Sequence, residues 1–223
     1  NTTADAEIAN KTDVVLTSVA GNEKAIGYIS LGALNDTVKA VKVDGAEATV
    51  DNVKAGAYKL SRPFNIATKG EPTGVAKDFI SFILSKEGQA VVTDNKYIAV
   101  NDAAESFVSD GSSGQIAVGG SSSVSPVMEK LIEAYKSVNP NASIDLQTSD
   151  STSGMTGAMD GTFAIGMASR ELKDEEAAQL TGTAIALDGI AVIVNPANTI
   201  DELSMDQIKS IYVGDITDWG DLA

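Results

Sequence analysis

The 223-residue chain contains no cysteine and no histidine. Lacking cysteine, it has neither a disulfide nor a thiolate nucleophile, a composition that fits an exported protein of a Gram-positive type as well as a cytosolic one. Lacking histidine, it has no imidazole to take the serine proton in a Ser-His-Asp hydrolase. Without either residue the common zinc sites cannot be built, and no Asp-x-Asp-x-Asp-Gly calcium loop occurs. Long apolar runs are missing too. No stretch of about 18 apolar residues is present, so no membrane-spanning segment is expected. The opening residues, Asn1-Thr2-Thr3-Ala4-Asp5, have neither the basic nor the apolar region of a signal peptide, so no signal is expected within these residues. Positive charge is scarce: 16 Lys and Arg stand against 31 Asp and Glu, a net charge of −15. Such a chain repels polyanions, which argues against nucleic acid as a partner. A small anion is a different case, because backbone N–H groups and hydroxyls act at contact range while salt screens carboxylates beyond about 10 Å. What is present is a 43% hydrophobic, 21% charged mixture, enough to bury the core of one large domain or of two small lobes.

Two blocks flank a polar stretch. In the first, Val14-Val15-Leu16, Ala25 to Ile29, Val38 to Val43 and Pro63 to Ala67 read as strands, the third by its alternation of apolar and polar residues. Val75, Phe79, Phe82, Ile83 and Val91 then recur at helical spacing and predict one helix from about Gly74 to Val92. Residues 101–115 are small and polar and read as a surface connector. In the second block, a strand at 115–118 leads through Gly119-Gly120-Ser121-Ser122-Ser123-Val124-Ser125-Pro126 into a helix ending near Val138. There Ser125 suits the N-cap and Pro126 the first helical position. A strand at 143–147 leads through Ser149-Asp150-Ser151-Thr152-Ser153-Gly154 into a short helix. Strands at 163–167 and 185–194 follow, and Ser204-Met205-Asp206-Gln207 is a capping-box pattern opening a last helix. Strand–helix–strand–helix–strand order predicts parallel strands with crossover helices.

Twice, then, a Gly/Ser-rich loop joins a strand to a helix. The first N–H groups of a helix have no internal partner and its dipole is positive there, so such a turn suits an anion, with hydroxyls adding further bonds. In an open α/β sheet it lies at the carboxyl ends of the strands, where ligands bind. The plainer alternative is turn chemistry alone, with Ser125 and Ser153 as caps. No Gly-x-x-x-x-Gly-Lys-Ser/Thr sequence marks a nucleotide P-loop.

Residues Gly120 to Met128, Ser149 to Met155, Ile165 to Leu172, Ala186 to Asn195 and Ile211 to Trp219 resemble the first half of the phosphate-binding proteins of bacterial phosphate ABC transporters. Gly21 to Gly32, Tyr58 to Pro63 and Phe79 to Gln89 resemble the second half of the same family. The halves stand in swapped order. The resemblance implies an α/β, periplasmic-binding-protein-like fold of two lobes and a hinge, circularly permuted, with residues 101–115 joining the family's usual termini. It assigns residues 1–62 and 197–223 to the second lobe, and 63–100 and 116–196 to the first. By motif position, Ser122, Ser123 and Val124 supply the first loop's phosphate contacts, Ser151 those of the second, and Ser169 stands where some members carry an aspartate. It implies no cofactor and no catalysis. The expected role is binding of inorganic phosphate as the extracytoplasmic component of an uptake system, with a membrane permease as partner.

The chain departs from the family in one respect that bears on this role. The second lobe usually provides an Arg followed by a Ser-Gly-Thr loop, and no Ser-Gly-Thr occurs here. A truncated second lobe follows as an alternative, giving a scaffold that binds phosphate weakly or not at all and self-associates through the incomplete lobe. Among the remaining residues, Arg62 and Arg170 are either anion ligands or salt-bridge partners. Lys173-Asp174-Glu175-Glu176 reads as a solvated helix face, and Trp219 reads as loop packing rather than a stacking platform.

Overall fold

The computed structural model describes residues 2–222. In chain order the elements are α1 (Thr12–Ala20), β1 (Ile26–Ser30), β2 (Lys39–Ala40), β3 (Lys42–Val43), α2 (Val50–Lys54), β4 (Ser61–Thr68), α3 (Gly74–Leu84), α4 (Lys86–Asp94), β5 (Gly114–Ser121), α5 (Ser125–Val138), β6 (Ala142–Ser149), α6 (Ser151–Asp160), β7 (Ile165–Ala168), α7 (Asp174–Ala177), β8 (Thr181–Val194), β9 (Glu202–Leu203) and α8 (Met205–Val213). The chain forms two compact units. One holds residues up to Ser61 and from Gly189 onward, and the other holds Arg62–Asp188. The chain passes from one unit to the other after Ser61 and again within β8, after Asp188.

The larger unit carries the parallel arrangement expected for the second block. Strand β5 pairs in parallel with β6 on one side and with β7 on the other, and β7 pairs antiparallel with β4. Its core is aromatic and aliphatic: Phe64, Phe79, Phe82, Tyr97, Met128, Leu131, Tyr135, Ile165 and Met167 are all buried. Burying each such side chain contributes about 1.5–3 kcal/mol. The segment 101–113 has no helix or strand, yet it is pinned. Glu105 accepts a bond from the Lys86 N–H, the Phe107 N–H donates to Glu87, and buried Asp78 accepts from Ser109 and from the Asp110 N–H.

In the smaller unit, β1 and β2 both pair antiparallel with the 190–194 part of β8, and β3 pairs in parallel with β9. Val19, Ile29, Leu31, Val38, Ala191 and Ile193 form its core.

Local structure departs from the sequence expectation at four places. Val14-Val15-Leu16 lies in α1, not a strand. Its β-branched residues favour strands, but Val15 and Val19 sit one helical turn apart and pack over Gly27 of β1. The single helix expected at 74–92 is two, broken at extended Ser85. The Ser85 hydroxyl donates to the Phe82 carbonyl and accepts from the Gly88 N–H, the local competition by which serine ends one helix and caps the next. Strand 38–43 is interrupted at Val41, giving β2 and β3. Ser125 is not the N-cap of α5. Val124 holds that place, and Pro126 follows in the first turn.

Candidate anion-binding site

The two loops meet inside the larger unit because glycine allows the close approach. Gly120, at the end of β5, has φ +137°, and a Cβ there would lie 2.3 Å from the Met167 carbonyl oxygen. A Cβ on Gly154 in α6 would lie 2.6 Å from the same oxygen. No other residue fits either position, so β5, α6 and β7 converge. With them come the residues just beyond: Ser121, Ser151 and Ser169.

Their hydroxyls form a chain. Ser121 Oγ donates to Ser169 Oγ at 3.0 Å, and Ser151 Oγ lies 3.4 Å from Ser169 Oγ. The Ser169 N–H donates to Ser151 Oγ at 3.1 Å, and the Ser123 N–H donates to Ser121 Oγ at 3.3 Å. Ser121 is buried, while Ser122, Ser123, Ser151 and Ser169 keep partial exposure. The structure thus brings Ser151 and Ser169 into direct contact and sets Ser123 beside them through Ser121. Ser121 belongs to the serine run, and nothing in the sequence separates it from its neighbours; only the parallel pairing of β5 with β7 does.

The first loop's backbone is otherwise engaged. The Ser122 N–H donates to the Ser149 carbonyl at 2.9 Å and the Val124 N–H to the Ser121 carbonyl at 3.0 Å, while the Val124 side chain is fully buried. Val124 therefore acts in this geometry as a packed N-cap residue. Helix α5 has no side-chain cap, so the positive end of its dipole is not neutralised by its own sequence. Ser125 instead turns its hydroxyl to the Ser121 carbonyl and to Thr148 Oγ1.

Helix α6 is capped by Asp150, not by Ser153. The Ser153 N–H and hydroxyl both donate to the Asp150 carboxylate, at 2.9 and 2.7 Å. Those bonds hold the Asp150 carboxyl below the ordinary carboxylate range, against a smaller opposing effect of burial. Beside this turn, Arg170 makes a two-pronged pair with Glu176, Nη1 to Oε2 at 2.7 Å and Nη2 to Oε1 at 2.8 Å. The pair holds Glu176 low and Arg170 high. Glu176 is buried, unlike Asp174 and Glu175, so the acidic stretch is not wholly a solvated face. Arg62 pairs with fully buried Asp188 at 3.1 Å. Trp219 Nε1 donates to the Lys24 carbonyl in the smaller unit.

A strand–loop–helix repeat thus gathers hydroxyls at two helix starts, an arrangement suited to an oxyanion, and comparison with known proteins defines the family. The model of the PBP superfamily domain matches residues 2–87 and 106–223. Phosphate-binding protein PstS 2 of Streptococcus agalactiae serotype V is 51% identical over 225 residues, covering 100% of this chain and 76% of that protein. The crystal structure of a phosphate-binding protein of a phosphate ABC transporter from Streptococcus pneumoniae TIGR4 superposes with TM-score 0.78 at 47% identity, covering 100% of this chain and 86% of that one. Phosphate-binding protein PstS of Staphylococcus haemolyticus is 38% identical over 111 residues, 46% of this chain and 35% of its own length. The chain is a PBP superfamily domain. Within that class it belongs to the PstS family of phosphate-binding proteins.

Proposed function

We propose that the chain binds inorganic phosphate as the extracytoplasmic solute-binding component of an ABC uptake system, handing the ion to a membrane permease. One observation carries this reading: three serine hydroxyls from three separate elements converge between the starts of α5 and α6. Hydroxyls can donate to an oxyanion, and the helix dipoles favour negative charge there. Ser122, Ser123 and Val124 are the contacts of the first loop, on condition that the Val124 N–H exchanges its bond to Ser121 for the ligand. Ser151 and Ser169 are those of the second. No helix among the described residues is long and apolar enough to cross a membrane.

The swapped order of family segments belongs to the same proposal. The match to the S. agalactiae relative runs along 100% of the chain, whereas the match to the S. haemolyticus relative covers 46%. This contrast supports an order shared with the first and permuted relative to the second, since a linear alignment takes in only one half of a permuted chain at a time.

Calorimetric titration with phosphate tests the reading, with Ser151→Ala alongside. Loss of one hydrogen bond to a charged ligand corresponds to about 1.5–3 kcal/mol, so Ser151→Ala is expected to weaken binding by about ten- to a hundredfold. Equal affinity in the two proteins would remove Ser151 from the site.

A further inference from the structure

The chain has two arginines, and one of them lies against the start of a helix. Arg170 follows Ser169 directly, and its Nη2 reaches Thr152 Oγ1 at 3.5 Å. Thr152 is the second residue of α6, next to Ser151. The guanidinium therefore lies against the first turn of a ten-residue helix, where the dipole is positive and a cation is disfavoured. Three carboxylates offset this: Glu176, gripped by both terminal nitrogens, and Asp150 and Glu175, whose charges also act on Arg170. The partners differ in exposure. The Glu176 side chain is 3% exposed and that of Arg170 29%, so the carboxylate backs the guanidinium from inside while the arginine side chain keeps part of its surface in solvent; Nη1 also donates to the Glu171 carbonyl at 2.9 Å.

We propose that Arg170 is a ligand of the bound anion and that Glu176 is its positioning residue. This rests on the phosphate reading above. An oxyanion at the Ser151 and Ser169 hydroxyls accepts from the guanidinium as well, and its charge removes the repulsion between Arg170 and the start of α6. Holding a planar fork in place beforehand is what makes arginine effective toward oxyanions. Without Arg170, the anion would face the carboxylates of Asp150, Glu175 and Glu176, with Lys173 beside Glu176 as the remaining cation. The ion pair of Arg170 and the anion site are thus one arrangement, not alternatives.

The test is calorimetry with inorganic phosphate on the wild type, Arg170→Gln, Arg170→Lys and the double variant Arg170→Gln/Glu176→Gln, with thermal melting of each. Arg170→Gln is expected to weaken phosphate binding by about ten- to a hundredfold, and Arg170→Lys to recover part of that. Arg170→Gln also leaves Glu176 buried without its partner, so its melting temperature falls. The double variant removes the orphaned charge; its melting temperature is expected to recover and its phosphate affinity not to. Wild-type affinity in Arg170→Gln, or recovery of affinity in the double variant, would overturn the inference and leave the phosphate reading standing. A wild type that binds no phosphate would overturn that reading and the inference with it.

Discussion

Asp78 shows how a single buried charge can organise a segment that looked unremarkable in sequence. It is 3% exposed, and its carboxylate accepts from Tyr135 Oη at 2.7 Å, Ser109 Oγ at 2.7 Å, the Asp110 N–H at 2.9 Å and Asn139 Nδ2 at 3.2 Å. Burial alone would raise its pKa, but these donors outweigh burial and lower it. A carboxyl depressed in the folded state stabilises above its unfolded pKa of about 3.9 and loses that contribution as pH falls through the folded value. Glu176, held low by Arg170, works in the same direction. Stability measured by urea unfolding is therefore expected to be flat near neutrality and to drop below about pH 4. Asp78→Asn should cost about 1–3 kcal/mol at pH 7 and make the acid drop shallower; an unchanged acid profile would show that Asp78 is not one of the titrating groups. In sequence Asp78 falls between the apolar positions Val75 and Phe79 and carries no motif of its own. Its four partners come from α5, from Asn139 at the end of that helix and from the polar segment at 101–113, and no local pattern announces such a meeting.

At the scale of elements, the helix starts were legible where chemistry is local and misread where packing decides. The capping box at Ser204 and Gln207 is present as expected, with both reciprocal bonds formed, and Ser204→Ala should cost about 1 kcal/mol. By contrast, Ser125 and Ser153 looked like caps, but Val124 and Asp150 hold those positions. Ser125 lost the role because its hydroxyl is drawn to the Ser121 carbonyl and Thr148, a neighbour brought in by the parallel pairing of β5 with β6. Val14-Val15-Leu16 reads as a strand in sequence, and its β-branched valines favour one; packing of α1 on β1 overrides that preference. The glycine contact among β5, α6 and β7 is the device that shapes the site. Gly154→Ala places a methyl 2.6 Å from the Met167 carbonyl oxygen and 2.7 Å from the Gly120 Cα, and backbone cannot move aside as a side chain can. It is expected to destabilise by about 1–3 kcal/mol and to weaken phosphate binding through displacement of Ser151. Full affinity with reduced stability would separate the glycine contact from the site.

At the scale of the molecule, the parallel order of the larger unit and the place of its loops could be read from strand and helix succession, and the family from short motifs in a swapped order. The hydroxyl chain could not, because it depends on β5 and β7 lying side by side although more than forty residues separate Ser121 from Ser169 in the chain, with the Ser121–Ser169 bond spanning 48 positions. The two units also differ in how deeply they bury their helices. In the larger, α3 and α5 turn large residues into an aromatic core, whereas α8 of the smaller has no buried residue. Amide exchange is therefore expected to be slow in α3 and α5 and faster in α8; equal protection would imply that α8 is covered in solution.

The net charge of −15 makes the central claim an exacting one, since an acidic chain is asked to hold an anion by contact-range dipoles, hydroxyls and one paired guanidinium. Calorimetric titration of the chain with inorganic phosphate tests it most directly. The expected result is saturable binding of one phosphate per chain, weakened by Ser151→Ala; no heat of binding at millimolar phosphate would contradict it.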